Sequence, residues 1–211
     1  MPIVKTLRYL FFGTFAIAFV MFPVQMPARG AEPHQSIAIQ PLGKLDPRLI
    51  ESVRKQLVGQ YNADVTVCRE QNLPKAAYYP PRGRYRAEKL LSYLKTIDTK
   101  STKVLGLTTV DISTTKDKYV DWGILGLGEV GGRTCVVSTF RMRGSKQNAS
   151  NALFRERFAK VVSHELGHTY GLQHCPVKGC LMEDCKGTVK TVDQEHGFCA
   201  KCKEHLSAVL L

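Results

Sequence analysis

Tryptophan, acidic side chains and long apolar runs are all scarce in these 211 residues. There is one Trp, and 18 Asp and Glu stand against 30 Lys and Arg. No internal repeat or low-complexity tract is present, which excludes solenoids and repeat arrays. With 44% hydrophobic and 23% charged residues, the composition is that of an ordinary folded domain, neither disordered nor fibrous. The apolar run at residues 9–24 is short for a membrane-spanning helix, which needs about 20 residues, and it carries Pro23. No Lys- or Arg-rich block with interleaved aromatics argues for nucleic acid as a partner. The net charge of +12 therefore favours acidic partners, anionic membrane surfaces or polyanionic wall material, or serves only solubility.

Lys5 and Arg8 precede the apolar run, and Pro27-Ala28-Arg29-Gly30-Ala31 follow it. A basic start, an apolar stretch and then small residues predict a secretory signal peptide over residues 1–30. The alternative is an uncleaved N-terminal membrane anchor. Either reading exports the body of the chain, as a secreted or periplasmic protein or tethered to a membrane. Removing residues 1–30 takes away Lys5, Arg8 and Arg29 and no acidic residue, so the remainder stays basic.

Residues 31–45 are polar and punctuated by Pro and Gly, and are expected to form an extended arm before a domain at 46–211. Asp46 can cap a helix, Pro47 suits its first position, and Leu49, Ile50, Val53, Leu57 and Val58 recur at helical spacing. A strand is expected at 63–68, a loop at 69–82, a helix at 85–97 and a strand at 103–112. Two more strands, at 123–130 and 134–139, are joined by a hairpin turn through Gly131 and Gly132. A third helix is expected from Asn151 to about Tyr170, with Phe154, Phe158, Val161, Val162 and Leu166 on its buried side. This order predicts a mixed α/β domain with one central mixed sheet.

The decisive stretch is His164-Glu165-Leu166-Gly167-His168-Thr169-Tyr170-Gly171-Leu172-Gln173-His174. Residues four apart on a helix share a face, so His164 and His168 can present two imidazoles to one point. Neutral imidazole is a good zinc ligand. Gly171 tolerates positive φ, so it can end the helix and return His174 as a third ligand. Three protein ligands leave a position open, the mark of a catalytic rather than a structural zinc. Glu165 neighbours the first ligand and can take a proton from a zinc-bound water. Average residue usage gives the whole pattern a chance frequency of roughly one chain in 10⁵, which argues against two surface histidines on an idle helix.

Seven cysteines cannot all pair within one chain. Cys175 and Cys180 form one close pair, and Cys199-Ala-Lys-Cys202 a second. Four thiolates so arranged suit a closed tetrahedral zinc site that would staple the C-terminal segment beneath the catalytic helix. Two disulfides are the alternative in an exported protein. Cys185 either replaces one ligand or stays free.

The pattern His164-Glu165-x-x-His168-x-x-Gly171-x-x-His174-Cys175-x4-Cys180-x-Met182, followed by Cys199-x-x-Cys202, resembles the archaemetzincins, a branch of the metzincin metallopeptidases. The stretch from Gly126-Leu127-Gly128 to Arg141 is similar to the family's strand pair before the active-site helix. The resemblance implies a zincin-like fold and two zinc ions per chain. One would be catalytic, on His164, His168 and His174, with Glu165 as base; the other would be structural, on Cys175, Cys180, Cys199 and Cys202. It also implies that Met182 lies in a methionine turn beneath the catalytic metal; by itself Met182 reads as a core filler. Substrate would run antiparallel to an edge strand, for which residues 124–130, with Ile124, Gly126 and Gly128, are the candidate; an internal strand is the alternative. No tyrosine follows Met182, where some other metzincins keep one, and the direction of Tyr170 is open.

The expected function is hydrolysis of peptide bonds in peptides or proteins by a monomeric enzyme, as an aminopeptidase or an endopeptidase. Two alternatives are a non-catalytic zinc-stabilised binding module and a zinc amidase acting on a non-protein amide.

Overall fold

In a computed structural model of the protein, Met1 and residues 35–144 and 150–210 are described. The expected signal peptide therefore lies outside the described residues, Met1 apart. Among the described residues, no helix is long and apolar enough to cross a membrane.

The segment expected to be an arm is instead structural. β1 (Ser36–Leu42) lies inside a five-stranded sheet between β2 (Asp64–Val67) and β5 (Lys103–Thr108), parallel to both. Its side chains alternate between the two faces, and both faces are covered. Ile37 and Ile39 join one core with Leu57, Leu105 and Phe158, while Ala38 and Leu42 join a second core with Leu90, Leu94 and Val104. A strand buried on both sides shows no polar alternation, so its pattern reads as irregular.

α1 (Pro47–Tyr61) forms as its sequence predicts. The Asp46 carboxylate accepts from the Arg48 N–H at 2.9 Å, Pro47 needs no donor partner, and Asn62 ends the helix in the left-handed region at φ 46°. α2 (Ala87–Lys95) starts later than expected, because Tyr85 belongs to a short strand. That strand belongs to a second sheet that the sequence did not announce, with the order β3 (Tyr78–Tyr79), β4 (Arg84–Arg86), β6 (Ile112–Lys116) and β7 (Tyr119–Ile124). β3 and two short 3₁₀ turns beside it take up residues 75–82 of the loop expected at 69–82, while 69–74 remain a loop.

Two expected strands are each broken in two where the chain passes between sheets. Residues 103–112 divide into β5 and β6, and the turn between them is held by Asp111, which pairs with Arg84 at 2.7 Å and Arg141 at 2.8 Å. Residues 123–130 divide at buried Leu125 into β7 and β8 (Gly126–Gly128). β8 pairs antiparallel with β9 (Thr134–Ser138), and β9 pairs parallel with β5. The first sheet thus has the order β2-β1-β5-β9-β8, with β8 at its edge.

α3 (Asn151–Thr169) packs Phe158, Val161, Val162 and Leu166 under this sheet. Each such side chain contributes about 1.5–3 kcal/mol when fully buried. The C-terminal segment holds α4 (Val189–Val192) and α5 (Ala200–Leu210), whose Leu206 enters the same core.

Candidate active site and metal centres

α3 starts at Ser150, whose hydroxyl accepts from the Leu153 N–H at 3.2 Å, and its last turns are buried on every side. His164 and His168 lie one turn apart on it. Each is aimed by a backbone carbonyl: His164 Nδ1 contacts the Leu181 oxygen and His168 Nδ1 the Leu172 oxygen, both at 2.7 Å. With Nδ1–H donating, both Nε2 lone pairs face the same space, 3.1 Å apart. Gly171, at φ 92°, then turns the chain, and its N–H donates to the His168 carbonyl at 2.8 Å. His174 returns with its ring centroid 4.9 Å from that of His168 and 5.5 Å from that of His164.

These three residues fit a zinc ion. Two nitrogens about 2.0–2.1 Å from a tetrahedral ion are roughly 3.3 Å apart, close to the observed spacing. The His164 and His168 imidazoles are also held towards the neutral state that ligation requires. Burial, and then the neighbouring His168 ring, lower the His164 value to about 3. Burial likewise lowers that of His168.

Glu165 is buried on the same helix. Loss of water pushes its carboxyl up to about 8, opposed by the backbone of Gly128. β8 lies directly against it: a Cβ at residue 126 would sit 2.7 Å from Glu165 Oε1, and one at residue 128 would sit 2.4 Å from the Glu165 carbonyl oxygen. Both positions therefore need glycine for close approach of strand to helix. Met182 is fully buried under the helix, and its sulfur would lie 2.7 Å from a Cβ at Gly167. Met182 therefore packs against α3 at Gly167, the residue before His168.

The four cysteines come together in a second cluster. Sγ of Cys175 is 3.8 Å from Sγ of Cys199, and Sγ of Cys180 is 3.8 Å from Sγ of Cys202. Disulfide sulfurs are about 2.05 Å apart, whereas sulfurs 2.3 Å from a common tetrahedral centre are about 3.8 Å apart. The spacing therefore fits a metal and not two disulfides. A backbone hydrogen bond from Cys202 lowers the Cys199 thiol to about 7, while burial raises Cys180 and Cys202. Among the described residues, these four cysteines and the three histidines are groups able to hold a metal ion.

A cleft of about 290 Å³ runs between β8 and α3, lined by Ile124, Gly126, Gly128, Glu165 and the three histidines. Cys185 lies in this cleft, apart from the cysteine cluster. Tyr170 turns away from it into the core, stacked on Tyr61 at 5.2 Å. Among the described residues its hydroxyl has no hydrogen-bond partner, and burial raises its pKa. Cys135 is buried in the main core, and Cys68 lies beside the smaller one. The sequence reading missed Lys116 and Trp122 on one wall and Asp184, Lys186 and Gly187 on the other. No local signal marks them, because two distant segments meet only in the fold.

Residues 48–208 match the model of peptidase family M54. The chain is 34% identical to the archaemetzincin of Haloquadratum walsbyi over 176 residues, which are 81% of this chain and 98% of that protein. The crystal structure of archaemetzincin from Methanopyrus kandleri superposes with a TM-score of 0.72 at 28% identity, covering 87% of this chain and 99% of that one. That of Archaeoglobus fulgidus archaemetzincin, complexed with malonate, gives 0.67 at 28% identity, covering 81% and 99%. The histidine motif, the cysteine cluster and the sheet order thus sit in a chain that belongs to peptidase family M54, the archaemetzincins, and is a zinc metallopeptidase acting on peptides or proteins.

Proposed function

We propose that peptide bonds are hydrolysed in the cleft between β8 and α3, with His164, His168 and His174 holding a catalytic zinc and Glu165 acting as general base. The observation that carries this reading is the buried Glu165 carboxyl beside converging imidazoles, directly under an open strand edge. When bound, zinc supplies Lewis acidity towards the scissile carbonyl. Glu165 takes a proton from the attacking water on a carboxylate oxygen and passes it to the departing amine. Burial makes that carboxylate a stronger base than an exposed one.

Among the described residues, the outer edge of β8 has no strand partner. An extended peptide adds there antiparallel, exchanging backbone hydrogen bonds with residues 124–128, and Gly126 and Gly128 keep the edge close to Glu165. Cys175, Cys180, Cys199 and Cys202 hold a second, structural zinc, giving two per chain. Its closed ligand set leaves no position for chemistry and ties the C-terminal segment to the catalytic loop. The protein acts as a monomer. Its export rests on the sequence pattern of residues 1–30 alone.

The test is to incubate the zinc-loaded protein with a diverse peptide library and read the products by mass spectrometry. Glu165→Ala and a chelated sample run alongside. Cuts by the native protein alone, with two metals retained in Glu165→Ala, are expected. Full activity in Glu165→Ala overturns the base assignment. A zinc-loaded protein that cuts no peptide points to a binding role or a non-protein amide.

A further inference from the structure

We infer that the cleft selects peptides bearing a carboxylate on the leaving side of the scissile bond, read by Lys116 and Lys186. The inference rests on the antiparallel binding proposed above. β8 runs from Gly126, beside the Glu165 carboxyl, to Gly128, beside His168. A peptide running the opposite way lays its residues after the scissile bond over Ile124 and on towards Trp122. Its residues before that bond lie over Gly128 and Val130.

The two ends of the cleft differ in charge. The leaving end is walled on one side by the β6–β7 hairpin, through Lys116 and Trp122, and on the other by residues 184–187. It is closed where Gly187, at φ 72°, meets the backbone of Gly123; a Cβ at residue 187 would lie 2.5 Å from the Gly123 oxygen. Lys116 Nζ lies 3.6 Å from Asp184 Oδ2 and 6.0 Å from the Trp122 ring. The Asp184 carboxylate is already engaged, since Oδ1 accepts from the Lys186 N–H at 2.8 Å. The Lys186 ammonium has no carboxylate partner among the described residues. Two cations and one anion leave this end of the cleft positive, and low-dielectric walls strengthen that field. Leu127 and Val130, which line the cleft on the far side of Gly126, carry no charge.

The carboxylate can come from an Asp or Glu side chain or from a peptide's own C-terminus. Trp122 is the sole tryptophan, so its fluorescence reports occupancy of the leaving end without hydrolysis. The experiment titrates zinc-loaded Glu165→Ala protein with N-acetylated, alanine-based pentapeptides. These carry Glu, Leu or Lys in the second half with an amidated end, Glu in the first half with an amidated end, or Leu with a free C-terminus. The Glu second-half peptide, the free-carboxylate peptide or both should bind about fivefold more tightly than the Leu amide. The Lys peptide should bind more weakly, and the first-half Glu peptide should gain nothing. Which of the two carboxylate peptides gains identifies the source. The preference should shrink between about 50 and about 500 mM salt, and should invert in Lys186→Glu.

Equal affinities for Glu, Leu and Lys, no response to any peptide, or a Glu preference that survives Lys186→Glu combined with Lys116→Gln would each overturn the inference. A native protein that cuts peptides without this preference removes the inference alone. A Glu165→Ala protein that binds with the preference while native protein cuts nothing removes the hydrolytic reading alone.

Discussion

Glu165 fills the space that a side chain at residue 126 would need: a Cβ there would lie 2.6 Å from its Cγ and 2.7 Å from its Oε1. The edge strand and the proposed base are therefore closely apposed, with no room between them for a side chain at residue 126.

Gly126→Ala tests that close approach. The added methyl pushes the carboxylate away from the attacking water, and a misplacement near 1 Å costs about 100-fold in rate. We expect kcat/KM on any cleaved peptide to fall by about that factor while zinc content is unchanged. Wild-type turnover in Gly126→Ala would show that the carboxylate position is not critical.

The cysteine cluster should behave as thiolates on a metal. Protein denatured without reductant in the presence of chelator should take alkylating reagent at all seven cysteines. Chelation of native protein should also lower the melting temperature, because binding energy at a closed site is folding energy. A mass lower by two hydrogens for each pair of missing labels would reveal disulfides instead.

Arg157 joins α3 to the segment after α4. Its Nε and one terminal nitrogen donate to the two Asp193 oxygens at 2.6 Å, and the other terminal nitrogen donates to the Met142 carbonyl at 2.8 Å. The guanidinium is buried and the carboxylate about a third exposed, so solvent screens part of the attraction. Arg157→Ala should lower unfolding free energy by about 2–3 kcal/mol in urea, mostly by stranding the acceptors. A loss below about 0.5 kcal/mol would assign the pair to the screened surface class.

Glu129 links the β8–β9 turn to pH. Burial acts to raise its pKa, but hydrogen bonds from Lys95 and Thr134 outweigh it, so the folded value is depressed. A depressed acid stabilises the fold fully above its unfolded value of about 4.3, and the contribution disappears as pH falls through the folded value. The stability gap between wild type and Glu129→Gln should be constant from neutral pH down to about 5 and close in more acidic buffer. A gap that widens with acid would reverse the sign argued here.

The three clustered histidines were legible because their relations are local. The i, i+4 spacing of His164 and His168, the turn at Gly171 and the return to His174 all follow from helix geometry within eleven consecutive residues. β1 was not legible. Gln40 and Pro41 interrupt its apolar run, yet Gln40 is buried, with its amide donating at 2.9 Å to the Pro41 and Arg69 carbonyls. The second of these acceptors lies 29 residues away, and the backbone pairing that makes the segment a strand comes from β2 and β5, both outside any local pattern.

The sequence by itself determined the family, the mixed α/β class and the helix that carries the histidine motif, and it singled out both sets of candidate metal ligands, because each rests on short-range spacing. Tertiary structure alone decided that residues 103–112 and 123–130 divide between two sheets. It alone placed β8 at an edge against Glu165, and it separated Cys185 from the other clustered cysteines. It also brought Lys116 and Trp122 opposite Asp184 and Lys186 to make the charged end of the cleft. The physical reason is that strand neighbours and facing walls depend on which distant apolar faces bury one another, and no local periodicity encodes that choice.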